Sequence, residues 1–468
     1  MDCSKVVAYK QKNNYYSDRA PFFPSAIFEE YPFKDSRIDR KNEIYDSLRQ
    51  VFRMLGLDSD NFGTKKWNPL RELIQPGMTV LIKPNLMHQS GDSGDTRGLI
   101  THGSLIRAAA DYAYIALKGN GRIIIADGPM EDADFEKILK VTGLIAIKEF
   151  YKKAADFDMD IYDLRSEKLI KKYGKGAGRV SLAGDPMGYT AIDLAEMSEF
   201  ENGNRGYETT AGPDGEMGTS IRHSRSRHEY IIANTILKAD AVISLPKMKT
   251  HKRSGVTLSL KNMIGITGDR KTLPHFSRQC FSNRAVKHRI HNLIYNCTHR
   301  MLRKYKNALK NITGATEKDV KSGNFYGNDI IWRTILDLFK IVNYGNVDGK
   351  AHREKQRKFL IILDGIVGGE GQGPTDPDSK PCGVLIAGFN PFCVDMTASR
   401  LMGFDPMKIP KFKNIPEEKL KKFSETGIDE IQCISNREDW NKKLSDFKGK
   451  CLNFKPHHAW RHHIEADI

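Results

Sequence analysis

The sequence predicts an α/β fold, a mostly parallel sheet covered by helices, and three observations carry that reading. Four apolar runs, Val80-Leu81-Ile82, Ile123-Ile124-Ile125, Val242-Ile243-Ser244-Leu245 and Ile361-Ile362-Leu363, have the length and β-branched content of buried strands. Helical stretches separate the first of them, as strand, helix, strand units require. Each run then meets a polar or charged residue beside Pro or Gly: Lys83-Pro84-Asn85, Asp127-Gly128-Pro129, Pro246-Lys247 and Asp364-Gly365. Ligands of open α/β sheets collect beyond the carboxyl ends of the strands, so charges repeated there outline a site.

Residues 1–77 read as an irregular N-terminal segment with a helix over 42–55, where Ile44, Leu48, Val51, Phe52 and Leu55 share one face. Asn68 before Pro69 suits an N-cap and first-turn pair, which predicts a short helix leading to Gly77 and the first strand. The alanine-rich stretch 104–118 predicts a helix that stops at Gly119-Asn120-Gly121. The main α/β unit spans 78–410 and carries two insertions. The first, about 160–221, is glycine-rich and polar: a set of short strands and turns, or a long excursion beside the sheet. The second, about 268–328, contains a basic helix at 284–310, with Ile290, Leu293, Ile294, Met301 and Leu302 at helical spacing among arginines and lysines. Residues 411–468 form a C-terminal extension, and Trp460 within its His-rich 457–463 stretch predicts that it packs back on the body.

A chain of 468 residues can bury a large core, and 39% hydrophobic with 28% charged residues describes an ordinary water-soluble protein. The formal net charge of +16 attracts nucleic acid, acidic lipid or anionic metabolites, unless it is simply a solvated basic surface. Seven scattered cysteines with no C-x-x-C fit a reduced compartment. Residues 1–32 hold no apolar leader, and nothing approaches a run of roughly 20 apolar residues, so a cytoplasmic protein without a membrane span is expected.

The densest chemistry lies at 245–262. Lys247, Lys249 and His251 alternate, so in an extended chain they project to one side. Such crowding of cations favours an anion between them and lowers a lysine pKa towards a catalytic range. The sequence predicts a turn before Lys261 and Asn262, which would close the same cluster. The stretch 368–374 is a glycine-rich turn that could offer backbone N–H groups to an anion, or serve as a plain loop. His223 and His228 form another suggestive cluster, without the H-E-x-x-H spacing of a zinc site.

At this segment the chain becomes recognisable. VLIKPN at 80–85, Thr101-His102, Ala126-Asp127-Gly128-Pro129, the run 239–251, TLSLKNMIG at 257–265, Asp364-Gly365 with 369–374, and Asn390-Pro391 to Asp395 with 403–406 resemble the domain-of-unknown-function 362 family. The resemblance covers about 79–410 and implies no established reaction. Many relatives append a ferredoxin-like module with clustered cysteines; this chain has no such cluster, so no iron–sulfur cofactor is expected.

Read physically, the matched residues divide into roles. Lys83, Asn85, Lys247, Lys261 and Asn262 are candidates to bind an anionic substrate, the lysines as point charges. His102, His251, Lys249, Asp364 and Glu370 are the candidate catalytic groups. Asp127, Asp364 and Glu370 are the candidate ligands of a divalent metal cofactor. Asp395 is a candidate base or metal ligand too, or a helix-start carboxylate of the helix running to Met402. The expectation is an enzyme acting on a phosphorylated or carboxylated small molecule through a Lys/His/Asp cleft. Its alternatives are a nucleic-acid-binding protein using the basic 284–310 helix, and a non-catalytic metabolite or cofactor carrier.

Overall fold

The computed structural model describes residues 2–89, 94–172, 175–201, 209–210, 219–224, 226–277, 315–449 and 451–467. An 11-stranded mixed sheet forms its centre. Its strands are β1 (Lys5–Lys10), β2 (Thr79–Pro84), β3 (Arg122–Asp127), β4 (Asp160–Asp163), β5 (Ala241–Leu245), β6 (Lys247–His251), β7 (Gly255–Val256), β8 (Lys358–Glu370), β9 (Asp378–Gly388), β10 (Gln432–Ser435) and β11 (Lys442–Lys443). They run in the order β11-β10-β1-β9-β8-β5-β2-β3-β4, with β6 joining β8 and pairing with β7. The block β8-β5-β2-β3-β4 is parallel throughout.

All four apolar runs fall on strands of that parallel block, and their alternation explains why they are continuously apolar. Leu81, Ile124, Val242 and Ile361 face one core. Val80, Ile82, Ile123, Ile125, Ile243 and Ile362 face the other. Helices cover both faces. On one side lie α1 (Ile44–Met54), α2 (Gly103–Leu117) and α3 (Leu144–Ala155), whose Leu48, Ile106 and Ile147 join the second core. On the other lie α4 (Leu258–Asn262), α5 (Ile331–Tyr344) and α6 (Pro391–Met402), with Leu260, Leu336 and Met396 in the first. A strand buried on both faces has no polar side to alternate with.

Several local expectations change. Residues 69–73 make successive turns rather than a helix. The stretch between Trp67 and Gly77 is too short to offset helix nucleation, and turns suffice to bury Leu70, Leu73 and Ile74. The N-terminal segment supplies β1 and the C-terminal extension β10, which pair in parallel with each other, and β1 also pairs antiparallel with β9. Both ends of the chain therefore extend the same sheet, and Trp460 is buried. The glycine-rich insertion contains the hairpin Glu167–Lys172 with Lys175–Ser181, and a strand Tyr189–Asp193 that pairs with Glu229–Ala233. The basic helix expected at 284–310 lies outside the described residues.

The largest change concerns Asp364. It is not at a strand end: β8 continues for six more residues, because β6 takes over as its partner where β5 stops. Gly368 and Gly369 are thus strand residues, paired to Lys380 and Ser379 of β9. The close approach of neighbouring backbone explains the glycines here. A Cβ on Gly369 would lie 2.4 Å from the Gly98 carbonyl oxygen, and one on Gly373 2.1 Å from that of Thr250. The anion nest considered for this stretch is accordingly a packing surface.

Candidate functional site

The candidate residues sort into two populations, cations matched by a carboxylate and cations that are not. Lys83, at the end of β2, donates from Nζ to Asp127 Oδ1 at 2.6 Å and to the Pro84 carbonyl at 2.9 Å. Asp127 Oδ2 accepts the Leu86 amide at 2.6 Å, so the carboxylate is satisfied on both oxygens. Gly265, the last residue of the TLSLKNMIG block, leaves room for this pair: a Cβ there would lie 2.0 Å from Asp127 Oδ1.

Lys247 forms the second matched group. Its Nζ is 3.1 Å from Asp364 Oδ2 and 2.6 Å from the Tyr16 hydroxyl, which itself donates to Asp364 Oδ1 at 2.6 Å. The His102 amide donates to Asp364 Oδ2 at 3.0 Å, and the His102 ring stacks on Tyr16 with centroids 4.1 Å apart. His102 Nδ1 accepts the Ser104 amide, capping α2, and burial pushes this imidazole down to about 3. His102, Lys247, Asp364 and Tyr16 therefore form an interlocked cluster around the Asp364 carboxylate.

Glu370 is committed elsewhere: Oε2 accepts the Lys455 amide at 2.9 Å and lies 3.1 Å from Lys380 Nζ, tying the C-terminal extension to β8. The carboxylates expected to share a metal, Asp127, Asp364 and Glu370, are thus not gathered together; each has its own cation. Asp395 caps a helix, though not its own. α6 starts at Pro391 with the Asn390 side chain accepting the Phe392 amide. Asp395 instead accepts the amides of Ser259 and Leu260 at the start of α4, together with the Ser259 hydroxyl, and pairs with Lys411 at 2.5 Å. It braces a turn in which buried Leu258 takes φ of 61°, a left-handed conformation unusual for a bulky residue.

The unmatched cations surround a cleft of about 300 Å³ beyond the carboxyl ends of β2, β3 and β5. Lys249 and Lys261 line it with His251, Arg253, Arg270 and His275. The alternation of β6 was expected to send Lys247 and Lys249 to one side together, but the register slips: Lys247 pairs with Asp364 and Lys249 with Gly369, so β8 advances five residues while β6 advances two. Among the described residues Lys249 Nζ meets only neutral acceptors, the Leu99 carbonyl at 2.7 Å, Asn85 Oδ1 at 3.3 Å and Met87 Sδ at 3.6 Å. Burial, then repulsion from Lys261 and Lys247, drives it well below the ordinary lysine value.

Asn262 completes the frame, donating to the Lys83 carbonyl at 3.0 Å and the Ser244 hydroxyl at 3.2 Å. Lys261, one residue before it, has no hydrogen-bond or ion-pair partner among the described residues. Burial first, then Arg270, Arg253, Lys411 and Lys252, brings it from 10.5 to about 7. His251 Nδ1 accepts the amides of Arg253 and Ser254 at 2.9 and 3.2 Å, which assigns the proton to Nε2. Burial and the surrounding cations hold it neutral, so it is a fixed donor rather than the proton shuttle its residue type suggested.

Arg253, Arg270, His275 and Tyr16 escaped sequence reasoning. Arg253 follows His251 by two residues and was within reach of the same argument. Arg270 and His275 lie where the second insertion begins, with no motif to mark them, and Tyr16 arrives from an arm 231 residues away from Lys247. His223 and His228 stay apart from the cleft, their rings 5.9 Å from one another and beside Phe200.

Fold and site together define an α/β protein with a cleft at the carboxyl edge of its parallel strands, rich in cations and bordered also by Asp127, Glu131 and Asp132. The chain belongs to the family described as domain of unknown function (DUF362), which matches residues 80–173 and 166–400. Every cleft residue named above falls in that span. The chain matches no curated protein. Among the described residues, no helix is long and apolar enough to cross a membrane.

Proposed function

We propose that the chain is an enzyme acting on an anionic small molecule, phosphorylated or carboxylated, that seats between Lys249, Lys261, Arg253 and the Nε2–H of His251. One observation carries this reading: Lys261 borders the cleft with no partner of its own while other cations lower its proton affinity. Buried charge is normally paired, and an entering anion would supply the missing partner. A cleft of about 300 Å³ suits a metabolite.

Each group then has a task. Lys249, held by Leu99 and Asn85, is a positioned amine donor whose charged form an entering anion would favour. His251 donates a directed hydrogen bond without changing charge. Lys261, brought to about 7, is the group that exchanges a proton at neutral pH. The Lys83–Asp127 pair and the Tyr16–Lys247–Asp364 cluster form the wall that holds them. The nucleic-acid reading rests on 284–310, outside the described residues, and no contact of the cleft favours it.

Calorimetric titration of the full chain with inorganic phosphate and with small carboxylates tests the proposal. At least one probe should bind, and Lys249→Ala should weaken it about tenfold or more, the worth of one charged hydrogen bond. Among ligands that bind, a substrate should lose turnover in Lys261→Met while still binding. If no anionic probe binds, or Lys249→Ala binds as the parent does, the proposal is wrong.

A further inference from the structure

The His-rich C-terminal stretch has a use that the cleft does not absorb. We propose that Asp319, His457 and His458 form a binding site for a divalent transition-metal ion, represented by Zn²⁺, which clasps the C-terminal extension to the rim of the cleft. One ligand atom from each of the three residues lies within 4.8 Å of the other two. Two imidazoles and a carboxylate are a donor set that zinc accepts, with a fourth position left for water.

The hydrogen bonding of the two histidines supports a cation there. His458 faces an acceptor on each side: Nδ1 is 3.0 Å from Gln372 Oε1, and Nε2 is 2.8 Å from Asp319 Oδ2. A neutral imidazole has one N–H. With that proton given to Gln372, the Nε2 lone pair points at a carboxylate; a second proton on the imidazole, or a metal ion in its place, makes both contacts favourable. The Nδ1–H to Gln372 contact is also the outer bond that typically orients a metal-bound histidine.

His457 supplies an independent observation. It is only 3% exposed, yet its Nδ1 bond from the Ala459 amide is long at 3.3 Å, and Nε2 has no partner among the described residues. Its Nε2 is not sealed from solvent, so it is open to an incoming ion as well as to water. A metal at about 2.0–2.1 Å from each ligand holds its ligand atoms roughly 3.3 Å apart, so the His458–Asp319 contact of 2.8 Å must open by about half an ångström and the wider separations, within 4.8 Å, must close.

The position gives the site a purpose. Asp319 belongs to the helix Glu317–Lys321, and Gln372 follows β8. Gln372 is two residues from Pro374, which lines the cleft. Trp460 Nε1 donates at 2.7 Å to the carbonyl of Lys252, another lining residue. A bound ion would therefore fix the 457–460 turn against the cleft rim. This site stands or falls separately from the anion proposal.

The test uses full-length protein stripped by a chelator and titrated with Zn²⁺ in a calorimeter, with Co²⁺ absorption as a second readout. One equivalent should bind, raise the unfolding temperature, and give the visible Co²⁺ bands of a low-coordinate site. Affinity should fall about tenfold or more in Asp319→Asn and in His457→Ala, and stay unchanged in His352→Ala, a control at the exposed His352–Asp348 pair. Asp319 accepts the Thr316 amide in the capping box that opens its helix, and the Oδ1 of Asn can still accept that bond, which guards against misfolding as the cause. Absence of Zn²⁺ binding would mean an ion pair only and overturns the proposal. So does binding that survives Asp319→Asn and His457→Ala but disappears in a His462→Ala/His463→Ala double variant, which marks an adventitious tail site.

Discussion

Replacing Lys261 by methionine should stabilise the ligand-free protein, by an amount that shrinks as the pH rises. Burial and four neighbouring cations bring this lysine from 10.5 to about 7. Between those values the unfolded chain holds a proton there that the folded chain has released. The unfolded state thus binds more protons, and wild-type stability rises with pH across that window. At pH 7 and below the whole penalty is present. The gap from 10.5 to about 7, at 1.36 kcal/mol per pH unit, corresponds to roughly 5 kcal/mol. That figure is a ceiling, because the side chain keeps partial contact with solvent. Methionine preserves the apolar stem, and the wild-type ammonium makes no hydrogen bond that would be lost. Urea unfolding at about pH 7 should give a higher midpoint for Lys261→Met, with the advantage falling by up to about 1.4 kcal/mol per pH unit towards pH 10. A variant no more stable than wild type at pH 7, or an advantage that stays constant to about pH 9.5, would refute the reasoning.

Two further substitutions probe the scaffold around the cleft. Gly265→Ala places a methyl 2.0 Å from Asp127 Oδ1 and 2.9 Å from Lys83 Nζ, so it should split the buried pair and cost about 3–5 kcal/mol, read as a large drop in unfolding temperature; an unchanged temperature would contradict the packing described. Asp395→Ala removes the cap of α4 and leaves Lys411 buried without its partner, a loss of about 3–5 kcal/mol by urea unfolding. Adding Lys411→Met should recover part of it, and a double variant no better than the single would count against the pairing.

The sheet was legible because a strand buried on both faces leaves an apolar run that little else produces, as at 80–82 and 241–245. The strands supplied by the two ends of the chain were not. β1 is Lys5-Val6-Val7-Ala8-Tyr9-Lys10, with one short apolar stretch between charges, and it becomes a strand only because β9 and β10 flank it. The placement of Lys83 and Asp127 at strand ends, and of Lys249 past the end of β5, was legible, though Lys249 itself lies within β6. The state of each lysine was not, since pairing depends on partners distant in sequence: Asp127 for Lys83, Asp364 and Tyr16 for Lys247. Histidine proved the least readable residue type. What decides whether His251 or His102 can carry a proton is which backbone amides reach Nδ1, and no side-chain pattern encodes that.

The slip between β6 and β8 is what converts a row of similar lysines into a wall and a binding surface. Had the strands kept register, Lys249 would stand opposite Ile366 of β8 rather than Gly369. At Gly369 the strand offers no side chain, and Gly369 leaves Lys249 Cβ about as close as a Cβ there could tolerate. The lysine stem can therefore lie against bare backbone and reach the Leu99 carbonyl, while Lys247, two residues earlier, is fully neutralised by Asp364. The proton affinity of Lys261 is set by its few neighbours in the cleft, and that is why a ligand carrying one or two negative charges is the perturbation to which it would respond most strongly.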